Sequence, residues 1–193
     1  MSLNHITEEL KHHAPFTALG ALTGIILMVV VIFLGLSHET SHAIFHTLHP
    51  AHILLSALVT TAIYRRYRGG IVAAVGIGFV GSIAIGTASD VIFPYIGGVL
   101  LRFPITLHVC FIEHPLLIIP SALVGIGIEL AWTRTRFPHA GHVLLSTYAS
   151  LFYLTTFGAP ADWLPLFPLV FLILFAAVWV PCCVSDIVFP PCS

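Results

Sequence analysis

Histidine sets this sequence apart: there are 12 histidines, against seven lysines and arginines together. Neutral imidazole is the commonest metal ligand among side chains, and these histidines are patterned. His49 and His52 stand three apart, as do His139 and His142, and on a helix that spacing puts both rings on one face, where they can chelate one ion. Asp90 and Asp186 each follow a serine and precede a Phe-Pro pair. Two imidazoles and a carboxylate suit Zn²⁺, Mn²⁺, Fe²⁺, Co²⁺ or Ni²⁺. The spacing predicts one such set at each membrane face: His49, His52 and Asp90 outside, His139, His142 and Asp186 inside. Glu113 and His114 fall between them, at mid-depth of an apolar stretch, where an ionisable residue is functional by default. Glu113 is expected to ligate the ion in transit or to exchange a proton against it.

Three further features are secondary metal candidates. His38-Glu39-Thr40-Ser41-His42 fits HExxH, the pattern of a zinc-hydrolase helix with two ligands on one face and a general base. His46 and His49 continue that stripe, which therefore also reads as a histidine ladder delivering metal to the outer mouth. Cys182 and Cys183, with Cys192, flank Asp186 on the cytoplasmic side, where thiols stay reduced and thiolates favour zinc and softer ions. Cys110 reads as packing.

The elements that must position these residues are membrane helices. Of 193 residues, 58% are hydrophobic and 8% are charged, against about 25% charged in a soluble domain. This excludes a soluble globular domain, a nucleic-acid binder and a disordered chain. The apolar runs approach about 20 residues, the length of a spanning helix, and do not alternate as barrel strands do. The expected class is all-α: a polytopic membrane protein with spans near 16–36, 50–64, 71–88, 104–128, 140–157 and 163–184. Residues 1–14 read as an amphipathic cytoplasmic segment. Arg65, Arg66 and Arg68, and then Arg134 and Arg136, mark cytoplasmic loops by the positive-inside rule. Both termini are then cytoplasmic, and the expected location is a prokaryotic inner membrane.

The chain also repeats itself. His49-Pro50-Ala51-His52-Ile53-Leu54-Leu55-Ser56 returns 90 residues later as His139-Ala140-Gly141-His142-Val143-Leu144-Leu145-Ser146, and Ser89-Asp90 returns as Ser185-Asp186. Glu39 pairs with Glu129, and Pro15 with Pro104, on the same scheme. Three spans per half (15–101 and 102–193) make the second half enter upside down, a construction common in secondary transporters. The second and fifth apolar runs are short and become long enough only with their HxxH segments, which draws those histidines into the bilayer. Glycines 76, 78, 81 and 86 permit close helix approach, and Pro165, Pro168 and Pro181 can break the sixth span.

The function expected from these residues is transport of a divalent transition metal, zinc foremost, by a homodimer whose partners are the ion and the bilayer. The alternative is an intramembrane zinc-dependent hydrolase using His38, Glu39 and His42. A haem carrier ranks last, because its histidine pairs would lie near opposite faces.

Overall fold

The computed structural model describes residues 3–68, 70–132, 139–158 and 163–188, with the backbone alone at 3–13, 16, 66–68, 139–140 and 182–188. The described chain is helical: α1 (Leu3–Phe33), α2 (His38–Arg68), α3 (Ile71–Thr87), a π-helical turn (Ala88–Ile92), α4 (Phe93–Leu100), α5 (Cys110–Glu113), α6 (Pro115–Ala131), α7 (His139–Phe157) and α8 (Phe167–Val188), the last preceded by a 3₁₀ turn, Leu164–Leu166. A single bridge, Ile105 to Gly158, is the only β-type pairing among the described residues. Three helical stretches are long and apolar enough to cross a membrane: His38–Arg65, Ile71–Leu100 and Leu164–Pro181. Thr17–Phe33 and Pro115–Ala131 are shorter apolar helices.

Helix α2 is the centre of the assembly. It packs on α3, α6 and α7, while α1 packs on α7 and α8. Small residues set these approaches. A Cβ on Gly125 of α6 would strike the Leu54 carbonyl of α2, and one on Gly86 of α3 would sit 3.1 Å from Ile53. Of the glycines expected to pack, Gly78 meets Thr61, whereas Gly76 faces open space.

Side-chain contacts fix the helix directions. The His46 ring lies 4.9 Å from that of His114, and Arg65 donates to the Glu129 carbonyl at 3.1 Å, so α2 and α6 run parallel. His142, the fourth residue of α7, meets His52, the fifteenth of α2, and Phe157 at the far end of α7 lies beside Phe45. Hence α7 runs antiparallel to α2 and begins level with its middle.

Several sequence expectations change here. The helix expected over 50–64 begins twelve residues earlier, at His38, where Ser37 Oγ accepts from the Thr40 N–H and closes the first turn. The segment 1–14 is not a separate helix, since α1 runs unbroken through Pro15. The helix expected from near 104 begins at Pro115. Residues 103–109 are not helical, and Pro104 opens no helix. Of the three prolines expected to break the last span, only Pro181 lies inside α8; Pro165 is in the 3₁₀ turn and Pro168 in the first turn of α8, where a missing N–H costs nothing. Glu39 is exposed, whereas Glu129 is buried beside Arg65, so this pair is not equivalent in space.

The π turn has a local cause. The Phe93 N–H reaches back five residues to the Ala88 carbonyl. The next residue, Pro94, has no N–H to offer, which leaves the Ser89 carbonyl without a backbone donor. Ser150 of α7 supplies one, its hydroxyl donating at 3.0 Å.

Candidate metal centre

Two histidine assemblies lie along α2. The outer one joins α2 to the non-helical segment and helix break that precede α6. His46 Nδ1 lies 3.0 Å from the His42 carbonyl one turn back. A carbonyl only accepts, so Nδ1 carries the proton and Nε2 is left as a lone pair. His108 Nδ1 lies 2.9 Å from the Glu113 carboxylate, which fixes its tautomer in the same way. The two Nε2 atoms then face each other 3.2 Å apart. Two lone pairs so placed repel unless a proton or a cation sits between them. Zinc bonds imidazole nitrogen at about 2.0–2.1 Å, and the edge of such a tetrahedron is about 3.3 Å. His114 completes a set of three, with one ligand atom from each residue, all within 4.8 Å of one another.

The sequence sets this up. His42 and His46 share a helical face, and their rings stack with centroids 4.0 Å apart. The tight Val109–His114 turn lets Glu113 Oε1 accept from the Val109 N–H at 3.1 Å while Oε2 takes His108. A carboxylate behind a ligating histidine orients the ring and raises its basicity. Burial lowers the proton affinity of His108 and Glu113 pulls the other way, with a net downward shift; the ring stays neutral and able to ligate. Burial, with smaller contributions from Glu113 and Asp90, pushes the Cys110 thiol up to about 12. It lies 3.9 Å from His46 Nε2 as a neutral thiol, consistent with packing.

The inner assembly is more deeply enclosed: His49, His52 and Asp90 are buried, and His142 is partly so. Asp90, in the π turn, is 0% exposed. Its Oδ2 accepts from His49 Nδ1 at 2.9 Å and His52 Nδ1 at 2.7 Å. Its Oδ1 accepts from Ser89 at 2.7 Å and from Ser146 of α7 at 2.8 Å. A carboxylate has about four acceptor positions, and all are taken. His52 Nε2 lies 3.2 Å from His142 Nε2. The buried His49 Nε2 has no partner, and the His49 ring stacks on Phe45.

These distances revise the expected ligand sets. Sites divided between two mouths do not match the geometry: His52 of the first half touches His142 of the second, and Ser146 reaches across to Asp90. Asp90 has no acceptor position left for an ion. Glu113 and His114 are not at mid-depth within a helix; they form the break before α6, both exposed, and Glu113 holds His108. His38 and Glu39 are exposed at the start of α2, and His38 lies 6.2 Å, ring to ring, from His42. The side chains of His139, Cys182, Cys183 and Asp186 lie outside the described residues. His108 was not among the expected ligands. Its signal was available in the spacing His108–Glu113–His114, but placing 104–128 in one span hid the turn that makes it work.

No protein-family model, curated protein or solved structure matches this chain.

Proposed function

We propose that the chain is an integral membrane transporter of a divalent transition-metal ion, with zinc the favoured ion. The observation that carries this reading is the convergence of His46, His108 and His114, with the first two tautomers fixed so that their lone pairs meet. An all-imidazole set suits borderline ions over Mg²⁺ or Ca²⁺. Buried polar groups halfway along α2, on a helix otherwise fit for the bilayer, support passage of an ion over a role confined to one surface.

The proposed architecture is six spans in two inverted three-helix repeats (15–101 and 102–193), with both termini cytoplasmic. The helix contacts support it. Exchanging α1 with α6, α2 with α7, and α3–α4 with α8 turns three principal pairings into others that are present: α2 on α6 into α7 on α1, α2 on α3 into α7 on α8, α3 on α6 into α8 on α1. His52 meets the residue that repeats it, as expected at a pseudo-two-fold axis. A homodimer through α3, where Val72, Gly76 and Val80 form an exposed face, belongs to the same proposal.

A zinc hydrolase is the second reading, and one observation favours it. The outer set has three histidines and an exposed edge, and catalytic zinc keeps three protein ligands and an open fourth position. Its ligands would then be His46, His108 and His114, and not the HExxH set.

The test is zinc content and zinc flux measured on the purified protein in proteoliposomes. Transport predicts flux that is lost in His108→Ala. Bound zinc without flux, together with ester or peptide hydrolysis, favours the hydrolase. Protein that neither holds nor moves zinc ends both readings.

A further inference from the structure

The structure points to a second ion site, distinct from the outer cluster, formed by Nε2 of His52 and Nε2 of His142, with Asp90 positioning the rings and not ligating. This inference rests on the metal reading above.

The argument starts from Asp90. Because its carboxylate accepts from both His49 Nδ1 and His52 Nδ1, each ring carries its proton on Nδ1 and presents Nε2 as a bare lone pair. The two serine hydroxyls fill the other oxygen, so the carboxylate cannot swing away to bind an ion without leaving several buried donors unpaired. A histidine whose far nitrogen donates to a carboxylate is the arrangement that orients metal ligands. His52 Nε2 then lies 3.2 Å from His142 Nε2, the same separation as between His46 and His108 in the outer set, and close to the edge of a tetrahedral site.

A second observation is the His49 Nε2 atom. It is a fully buried acceptor without a partner, on a ring that is 0% exposed and held through Nδ1 by the same Asp90 oxygen that holds His52. A buried unsatisfied acceptor is costly, and a polar guest bound at this assembly would relieve that cost.

The two sites differ in a way that suits movement. The outer one offers three rings at an exposed edge. The inner one offers two, drawn from α2 and α7, one from each repeat. His46 and His52 are six residues apart on α2, about 9 Å along the axis. Fewer protein ligands leave more of the coordination sphere to water, and an ion in transit must be held weakly enough to leave. The ligand chemistry is neutral nitrogen, so the ion is of the Zn²⁺, Co²⁺ or Ni²⁺ kind.

The test uses Co²⁺ as probe on the full chain in lipid nanodiscs, with bound metal counted per chain and the visible ligand-field spectrum recorded. Wild type is expected to bind two Co²⁺. His108→Gln should keep one, and His142→Gln should keep the other. Asp90→Asn should weaken the inner site about 10- to 100-fold, as loss of an orienting partner does, with the spectrum of the ion still bound unchanged. A changed spectrum makes Asp90 a ligand and overturns its positioning role. One Co²⁺ in wild type, lost in His108→Gln, leaves the outer site standing and overturns the inner one without needing any inner-site variant. Two ions that both persist in His142→Gln overturn it as well. No bound Co²⁺ in wild type ends the metal reading itself.

Discussion

Glu113 Oε2 lies 2.9 Å from Nδ1 of His108, and this one contact decides which ring nitrogen faces His46. Glu113→Gln is therefore expected to lower zinc affinity at the outer site about 10- to 100-fold without abolishing it. His108→Ala, which removes the lone pair itself, should abolish it. Competition against a chromophoric chelator measures both, and equal loss in the two variants would make Glu113 a ligand.

The two readings of the α2 stripe separate at its first turn. His46→Ala should lose outer-site zinc, whereas His38→Ala and Glu39→Gln should retain it, since both side chains are exposed and outside the three-histidine set. Elemental analysis of the purified variants decides this. Loss of metal in His38→Ala would restore the HExxH assignment.

Gly125 and Gly127 provide a packing contrast on one helix. A Cβ at Gly125 meets the backbone of Leu54, which cannot rotate aside, while one at Gly127 meets nothing within 4 Å. Gly125→Ala should destabilise by about 1–3 kcal/mol or more, as overpacking does. Gly127→Ala should gain about 0.5–1 kcal/mol from the restricted unfolded chain. Thermal unfolding in detergent gives the order.

Cys110 is completely buried, and its thiol is pushed up to about 12. Mass spectrometry of the Cys110 peptide after maleimide treatment at neutral pH should find it unmodified in the folded protein and alkylated after denaturation. The fold holds a proton that the unfolded chain releases near 9.0, so this group's contribution to stability falls as pH rises above that value. Rapid native labelling would show that the non-helical segment does not bury it.

Arg65 reaches Glu129, so the C-terminal ends of α2 and α6 lie together. Cysteines introduced at 65–68 and 134–136 should be labelled from the same face of sealed vesicles. Labelling from opposite faces would end the six-span arrangement.

The helical class was legible from composition, and the repeat singled out His49, His52, Asp90 and His142, which lie together in the structure. The motif could single them out because helical spacing is a property of the chain alone. Their grouping was not legible. Assigning sites to separate mouths assumed that each half serves its own face, whereas His52 meets His142 because α7 begins level with the middle of α2. That depth depends on how the helices pack, which hydropathy does not encode. The role of Asp90 was misread for a related reason: a carboxylate near two histidines looks like a ligand until its other acceptor positions are counted, and Ser146 is 56 residues away. The break at Glu113–His114 is hidden because residues 104–114 are apolar enough to pass for helix, although they are not helical up to Val109.

Pro94 has a genetic consequence. The π turn it enforces means that the Ile71–Leu100 helix carries one residue more than its α-helical count requires, just where Asp90 stands. Loss of a single codon between 88 and 92 would let the helix close up in ordinary register, with the bond that Pro94 cannot give as its one missing backbone hydrogen bond. The two flanks would keep their faces, and only the residues within the turn would change direction. Asp90 and Ser89 could then no longer both keep their partners on α2 and α7. Such a deletion would be nearly silent for the helix and ruinous for what the helix presents. Point substitutions among the exposed apolar residues nearby, such as Ile96 and Val99, should by contrast be tolerated. In this segment the reading frame of side chains, more than their identity, is what selection must protect.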